Sequence, residues 1–193
     1  MSASMTKQSK KAQMIILSAP SGAGKSSFID RILKEFPKIK DTITYTTRAM
    51  RTGETEGNPY HFVTRERFCS LKEEGFFVEH AQVHDNFYGT PLHQIHDAAS
   101  EGRVLIMDVD VKGAATFKNK FPGAVSIFIL PPSMDELKRR IQGRDKKLPE
   151  DLEIRLINAQ MEMSLAHSFD YRIVNDHFEE SYFQFKKIIE DLL

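Results

Sequence analysis

Cysteine, tryptophan and net charge are the three things this 193-residue chain lacks or nearly lacks. Its one cysteine, Cys69, has no partner for an internal disulfide, so no oxidising compartment is indicated. It reads as a small, semi-buried apolar residue. Lys and Arg number 27 and so do Asp and Glu, giving a formal charge of 0. That balance argues against a nucleic-acid coat and against a basic membrane-surface protein, both of which need a broad cationic face. No apolar run approaches the ~20 residues that span a bilayer. Residues 1–13 carry Lys7, Lys10 and Lys11 but lack the apolar stretch and cleavage site of a signal peptide. They read as a flexible, solvated tail. Internal repeats and low-complexity segments are also missing. A cytoplasmic protein without nucleic-acid or membrane partners is the expectation.

What is present is ordinary globular material, 40% hydrophobic and 28% charged. At this length roughly 70% of the unfolded chain's surface is buried on folding, enough for a sizeable core. Short apolar runs rich in β-branched residues predict buried parallel strands at Met14–Ser18, Val104–Asp108, Val125–Leu130 and residues 171–175. A helix is predicted over 26–36, where Phe28, Ile29, Ile32, Leu33 and Phe36 form one stripe before Pro37. Phe178, Tyr182, Phe185, Ile189 and Leu192 form a second stripe. Strands alternating with helices predict an α/β fold with a mainly parallel sheet.

Two segments depart from that scaffold. Residues 42–47, 59–63 and 76–81 read as strands separated by turn residues, with one short helix near 65–74, which predicts a small, largely antiparallel insertion. In residues 131–159, Ser133 and Glu136 have capping-box spacing, Gly143 marks a helix stop, and Pro149 opens a second helix. Both segments can reach the carboxyl ends of the strands, where open α/β sheets bind ligands.

The sharpest chemical feature is Ala19, Pro20, Ser21, Gly22, Ala23, Gly24, Lys25 and Ser26, followed by Ser27, between a predicted strand and a predicted helix. This is the setting of a phosphate-cradling P-loop. Glycines let backbone N–H groups turn inward, and the helix N-terminus adds positive potential. Lys25 is expected to contact the β- and γ-phosphates of a nucleotide, and Ser26 to ligate Mg²⁺. The first glycine of the strict pattern is Ala19 here, tolerable where its φ is negative. A second cue is the strand that ends in Asp108 and Asp110, acids expected near Mg²⁺, directly or through water, or near substrate. The competing reading makes them caps of the next helix. A third is Arg48 and Arg51, whose planar forks suit a phosphate group, although loop arginines are commonly just solvated.

Taken in order, the P-loop, Thr46-Thr47-Arg48 with Arg51, Gly53, Glu54, Gly57, Tyr60, Phe62 and Val63, then Phe77-Val78-Glu79-His80-Ala81, Asn86-Phe87-Tyr88-Gly89-Thr90 and the Asp108 strand resemble the guanylate kinase family over about residues 13–193. The resemblance implies a P-loop nucleoside monophosphate kinase fold. Its parts are a core (14–40, 98–130, 160–193), a mixed GMP-binding insertion (41–97) and a helical lid (131–159). It implies transfer of the γ-phosphoryl group of MgATP to GMP, and to dGMP, with Mg²⁺ as cofactor. By the same resemblance Arg48, Arg51, Tyr60 and Tyr88 hold the GMP phosphate. Thr44, Glu79 and Thr90 read guanine, with Asp108 near the base. Arg140, Arg144 and Arg155 act with Lys25 and Arg48 on the transferring group, and Asn175 lies beside the ATP adenine. A strand-end turn remains an alternative for Asn175.

These implications agree with elementary chemistry. Guanine offers N1–H and N2–H₂ donors, which carboxylates accept, whereas adenine would set a lone pair against Glu79. Residues 137–148 hold six cations (Lys138, Arg139, Arg140, Arg144, Lys146 and Lys147) against one acid, Asp145, and closing arginines neutralise a transferring phosphoryl group. No catalytic base stands out and none is needed, because a phosphate monoester with a second pKa of about 6 is already largely ionised. His93 and His96 lack further ligands at zinc-like spacing. Two other readings stay open: a different small-phosphate kinase on the same framework, and a non-catalytic binding module.

Overall fold

The computed structural model of the protein describes residues 13–83, 85–144 and 152–193. Five strands, β1 (Met14–Ser18), β2 (Ile39–Asp41), β7 (Val104–Asp108), β8 (Val125–Leu130) and β9 (Tyr171–Val174), form one sheet in the order β2-β7-β1-β8-β9. Every pairing in it is parallel. All five residues of β1 are buried, because alternate side chains enter opposite cores. Ile15 and Leu17 pack with Phe28 and Ile32 of α1 (Lys25–Glu35) and with Tyr182, Phe185 and Ile189 of α7 (Phe178–Leu192). Met14 and Ile16 face Ile95 and Ala98 of α3 (Leu92–Ser100) and Ala114 and Phe117 of α4 (Val111–Lys120). Each such large side chain contributes about 1.5–3 kcal/mol when fully buried. Both predicted aromatic stripes meet at Phe28, whose ring packs edge-on against Phe178 and Phe185 at 5.2 and 5.4 Å.

The second sheet holds β3 (Thr44–Thr46), β4 (Tyr60–Phe62), β5 (Phe77–Val83) and β6 (Asn86–Pro91) in the order β4-β3-β6-β5. It is mixed: β3 and β4 run parallel and the other pairs antiparallel. The strand predicted over 42–47 is confined to 44–46, in the second sheet, while the preceding residues 39–41 join the main sheet, with the crossing at Thr42 and Ile43. The Gln94 side chain holds that crossing by accepting from the Ile43 N–H (2.9 Å) and donating to its carbonyl (3.1 Å). Neither β2, only three residues long, nor β6, which contains Gly89 and Pro91, has the apolar run that marks a strand; pairing with neighbours makes them strands. The short helix α2 (Arg65–Glu73) is capped by the Thr64 hydroxyl, which accepts from Arg67 N–H at 3.2 Å.

Helix α5 (Met134–Arg144), which precedes α6 (Leu152–Ser164), corrects two expectations. Gly143 does not stop α5, which runs on to Arg144. The capping box is half made: the Ser133 hydroxyl accepts from Glu136 N–H at 3.1 Å, but the Glu136 carboxylate turns to Arg139 and Arg140 instead of back to the cap. Pro149, proposed to open the second helix, lies outside the described residues, as do residues 1–12. Cys69 is exposed, not semi-buried, because it falls on the solvent side of α2.

Candidate active site

A cavity of about 630 Å³ opens between the carboxyl ends of the main sheet and the second sheet. At one end lies the loop from Ala19 to Gly24. Gly22 and Gly24 have φ of 91° and 94°, a region where L side chains are strained. The neighbours leave no room either: a Cβ at Gly22 would stand 2.8 Å from Ile141 Cγ1, and one at Gly24 2.8 Å from Asn175 Nδ2. Gly24 is the N-cap of α1 and offers no side-chain acceptor; Ser27 N–H donates to Gly24 O at 3.1 Å, and the N–H groups of Lys25 and Ser26 stay available to an anion. Ala19, Pro20, Ser21, Gly22, Gly24, Lys25, Ser26 and Ser27 all line the cavity. Ala23 does not. Its side chain is buried, its N–H donates to Pro20 O at 3.0 Å, and its carbonyl accepts from Asn175 Nδ2 at 2.8 Å.

Asn175, expected beside adenine, lies beneath the phosphate loop and does not line the cavity. It is buried, and its Oδ1 has no hydrogen-bond partner. Lys25 forms an ion pair with Asp108, the last residue of β7. Asp110 realises the capping alternative, its Oδ1 accepting from Gly113 N–H at 2.7 Å, and still lines the cavity. Its charge bears on Glu79, while that of Asp108 bears on Tyr60. Both acids thus reach groups at the opposite end of the cavity, and Asp108 also engages Lys25 at the loop end.

The opposite end is built from side chains on four strands and a loop. Thr44, Arg51, Tyr60, Glu79, Tyr88 and Thr90 line it. Glu79 Oε1 accepts from the Thr90 hydroxyl at 3.1 Å. Burial pushes the Glu79 carboxyl up to about 7, with Asp110 adding to the rise and Thr90 and Lys120 opposing it. Burial, aided by the Asp108 carboxylate, likewise holds the Tyr60 hydroxyl up at about 12, so it stays a hydrogen-bond donor. The Tyr60 and Tyr88 rings meet edge-on at 5.8 Å.

Arg48 does not line the cavity. Its guanidinium donates to Glu54 Oε1 and to Ala49 O, both at 2.7 Å, and lies 5.4 Å from the Tyr60 ring centroid. Glu54 Oε2 accepts from Arg51 N–H at 2.7 Å, so one carboxylate organises both arginines of the motif. The two threonines before Arg48 are fasteners. Thr46 Oγ1 donates to Phe87 O (3.0 Å) and accepts from Arg48 N–H (3.1 Å), and Thr47 Oγ1 accepts from Phe87 N–H (2.9 Å).

From α5, Arg140 lines the cavity, its Nε donating to Glu136 Oε1 at 2.7 Å. Arg139 and Arg140 together hold the Glu136 carboxyl down at about 2. Arg155 sits half-buried on α6 and does not line the cavity. The role expected of the Arg144 side chain lies outside the described residues. Glu162 of α6 does line the cavity, and nothing in the sequence singles it out, since it belongs to no motif and only folding brings α6 over the loop. Burial raises its carboxyl, with Lys25 opposing and Asp110 reinforcing the rise. Among the described residues no group of three or more His, Cys, Asp or Glu side chains is arranged to hold a metal. Ser26 and Asp108 nonetheless present a hydroxyl and a carboxylate at the phosphate end, hard oxygen donors of the kind Mg²⁺ takes beside nucleotide phosphates.

Comparison with known proteins agrees with this geometry. The family model described as guanylate kinase matches residues 11–192. A guanylate kinase of Bdellovibrio bacteriovorus is 55% identical over 183 residues, which cover 95% of this chain and 99% of the relative. That of Thiobacillus denitrificans is 44% identical over 177 residues, covering 92% and 85%. The crystal structure of guanylate kinase from Anaplasma phagocytophilum superimposes with a TM-score of 0.77 at 36% identity, covering 94% of this chain and 86% of that one. With a phosphate loop, a mixed second sheet and a shared cavity in these positions, the chain belongs to the guanylate kinase family.

Proposed function

We propose that the protein transfers the γ-phosphoryl group of ATP to GMP, giving ADP and GDP, and accepts dGMP through the same contacts. One observation carries this reading: a phosphate loop with Lys25 and a buried Glu79–Thr90 pair face each other across a single cavity. Guanine donors suit Glu79 and the Oδ2 of Asp110, whose mutual repulsion a ligand bearing N1–H and N2–H₂ relieves. Arg51, Tyr60 and Tyr88 supply donors for the acceptor phosphate, and Arg48 steadies Tyr60 from behind. Binding of ATP draws Lys25 off Asp108 toward the β- and γ-phosphates. That leaves the Asp108 carboxylate and the Ser26 hydroxyl to hold Mg²⁺ at the phosphate end. When bound, the ion would supply positive charge to offset that developing on the transferring group. The acceptor oxygen arrives ionised, so the chain's task is to align two anions, with Lys25, Arg51 and Arg140 offsetting their repulsion. Residues 131–159 act as a lid bringing Arg140, Arg144 and Arg155 to the reacting groups and excluding water. The substrates belong to the free nucleotide pool, in keeping with a cytoplasmic protein that needs neither nucleic acid nor membrane.

The test is nucleoside diphosphate formation from MgATP with GMP, dGMP, AMP and UMP as acceptors. GMP and dGMP should exceed AMP and UMP by at least about 100-fold in kcat/KM. AMP or UMP outrunning GMP would refute the guanine reading, and silence with every acceptor would favour a binding module. Lys25→Ala should abolish turnover while GMP still binds.

A further inference from the structure

The cavity contains one carboxylate that neither the phosphate contacts nor the guanine contacts employ. Glu162 lines it from the last full turn of α6, half-buried, and its side chain has no hydrogen-bond or ion-pair partner among the described residues. The charges it faces are Lys25 of α1, which attracts it, and Asp110 ahead of α4, which repels it. Arg140 of α5 lines the same cavity but is engaged by Glu136.

An anion beside a phosphate cradle repels each phosphate that enters, so its presence calls for a cation it can serve. Lys25, on the wall of the same cavity, is the cation that attracts it. In the ligand-free site Lys25 is paired with Asp108 at the end of β7. Nucleotide phosphates break that pair, after which a flexible four-carbon stem and three donors leave the ammonium free to settle anywhere along the phosphate chain. A second anion on the α6 side removes part of that freedom.

We propose that Glu162 is a positioning residue for phosphoryl transfer: it draws the Lys25 ammonium toward α6 and holds it over the transferring phosphoryl group once Asp108 has been released. This rests on the kinase reading above. The arrangement has a kinetic signature. Glu162 weakens ground-state binding of ATP by repelling the phosphates and by competing with them for the Lys25 ammonium, and it assists the transition state through Lys25, so its removal lowers kcat without raising the KM for ATP. A structural defect in α6 would do the reverse, raising KM as the site loosens.

The experiment compares the full chain with Glu162→Gln, Glu162→Asp, Lys25→Ala and the Glu162→Gln/Lys25→Ala pair, by steady-state kinetics, thermal melting and calorimetric titration with MgATP in the absence of acceptor. Glu162→Gln should lower kcat about 10- to 100-fold, the scale of a misplaced catalytic group, with an unchanged or lower KM for ATP and an unchanged melting midpoint. Glu162→Asp should recover part of kcat. Glu162→Gln should tighten MgATP binding more when Lys25 is present than in the Lys25→Ala background, where only the direct repulsion of phosphate is relieved, because the part exerted through Lys25 is non-additive with its loss. The proposal is overturned by an unchanged kcat, by a fall in kcat with a rise in KM, or by tightening of equal size with and without Lys25. The titrations need no acceptor. If the unaltered chain fails to phosphorylate GMP, the kinase reading falls and the coupling between Glu162 and Lys25 is still decided by the binding data.

Discussion

The two ends of the cavity are built by opposite means. At the phosphate-loop end nine consecutive positions, 19–27, do the work, and the groups on offer are mainly backbone N–H donors fixed by Gly22 and Gly24 at positive φ. At the acceptor end the working groups come from β3, β4, β5, β6 and the loop bearing Arg51. They are side chains kept in place by other side chains: Glu54 by Arg48, Glu79 by Thr90, Tyr60 by Tyr88. One end fails when the backbone is changed, the other when charge or a hydrogen bond is removed. Their sensitivities to mutation should therefore separate.

The largest expected effect tests the first half of this contrast. Gly24→Ala puts a methyl group on a residue at φ 94° and 2.8 Å from Asn175 Nδ2, the atom that supports the loop through Ala23 O. Strain of about 1–3 kcal/mol in the loop should displace the cradle, and kcat/KM for ATP should fall by about 10²–10³-fold. Affinity for GMP, measured without ATP, should change by less than about threefold, since no acceptor contact is touched. Equal losses for both nucleotides would mean that the two ends are one cooperative unit.

The complementary change is Glu79→Gln. It leaves the backbone alone and replaces an acceptor of two guanine donors by an amide that can satisfy only one. We expect kcat/KM for GMP to fall about 10²-fold with the KM for ATP unaffected. Discrimination against AMP should narrow as well, because the amide N–H₂ can donate to adenine N1. An undiminished preference for GMP over AMP would shift specificity to Thr44, Thr90 and Asp110.

The same contrast explains what could be read from the chain before folding. A contiguous loop flanked by a strand and a helix announces itself, and so did β1, β7 and β8, continuous apolar runs; β9 also read as buried but lies at the sheet edge, where only Ile173 is buried. Assignments that depended on neighbours fared differently. Strand β2 carries a charged residue at each of its last two positions and becomes a strand only because β7 supplies a partner. Asn175 reads like a ligand contact at the end of a strand, but packing sets it under Ala23. Glu162 carries no motif, since its relation to Lys25 exists only after α6 crosses the sheet. The arginines were legible as a cationic set, yet their state was not: Arg48 and Arg140 are each held by a glutamate of their own segment.

The smallest effect concerns the seam between the two ends, where β2 stops and the chain crosses to the second sheet. Asp41 is the last residue of β2, and its Oδ1 is buried without a hydrogen-bond partner. Burial pushes its carboxyl up to about 7 from 3.8, with Asp108 and Asp30 adding to the rise and the Thr42 N–H opposing it. Glu79 behaves alike, rising from 4.5 to about 7. For such groups the folded state binds protons more tightly than the unfolded state. Stability is therefore fully present below the unfolded pKa and is lost as pH climbs through the folded one. In the ligand-free protein the two carboxyls should make stability fall between pH 5 and pH 8. Carboxyls held low, such as Glu136 and Asp170, act only at more acid pH, whereas the raised Glu162 adds to the fall and His80, lowered by burial, opposes it. Asp41→Asn keeps the shape and neutrality of the protonated acid, so it should match the parent at pH 5 and exceed it at pH 8 by on the order of 1–3 kcal/mol in urea unfolding. A variant that loses as much stability as the parent between those two pH values would mean that Asp41 is ionised in the folded protein. The seam would then hold a charge that repels Asp108, the partner of Lys25, and the separation of the two ends would fail at that point.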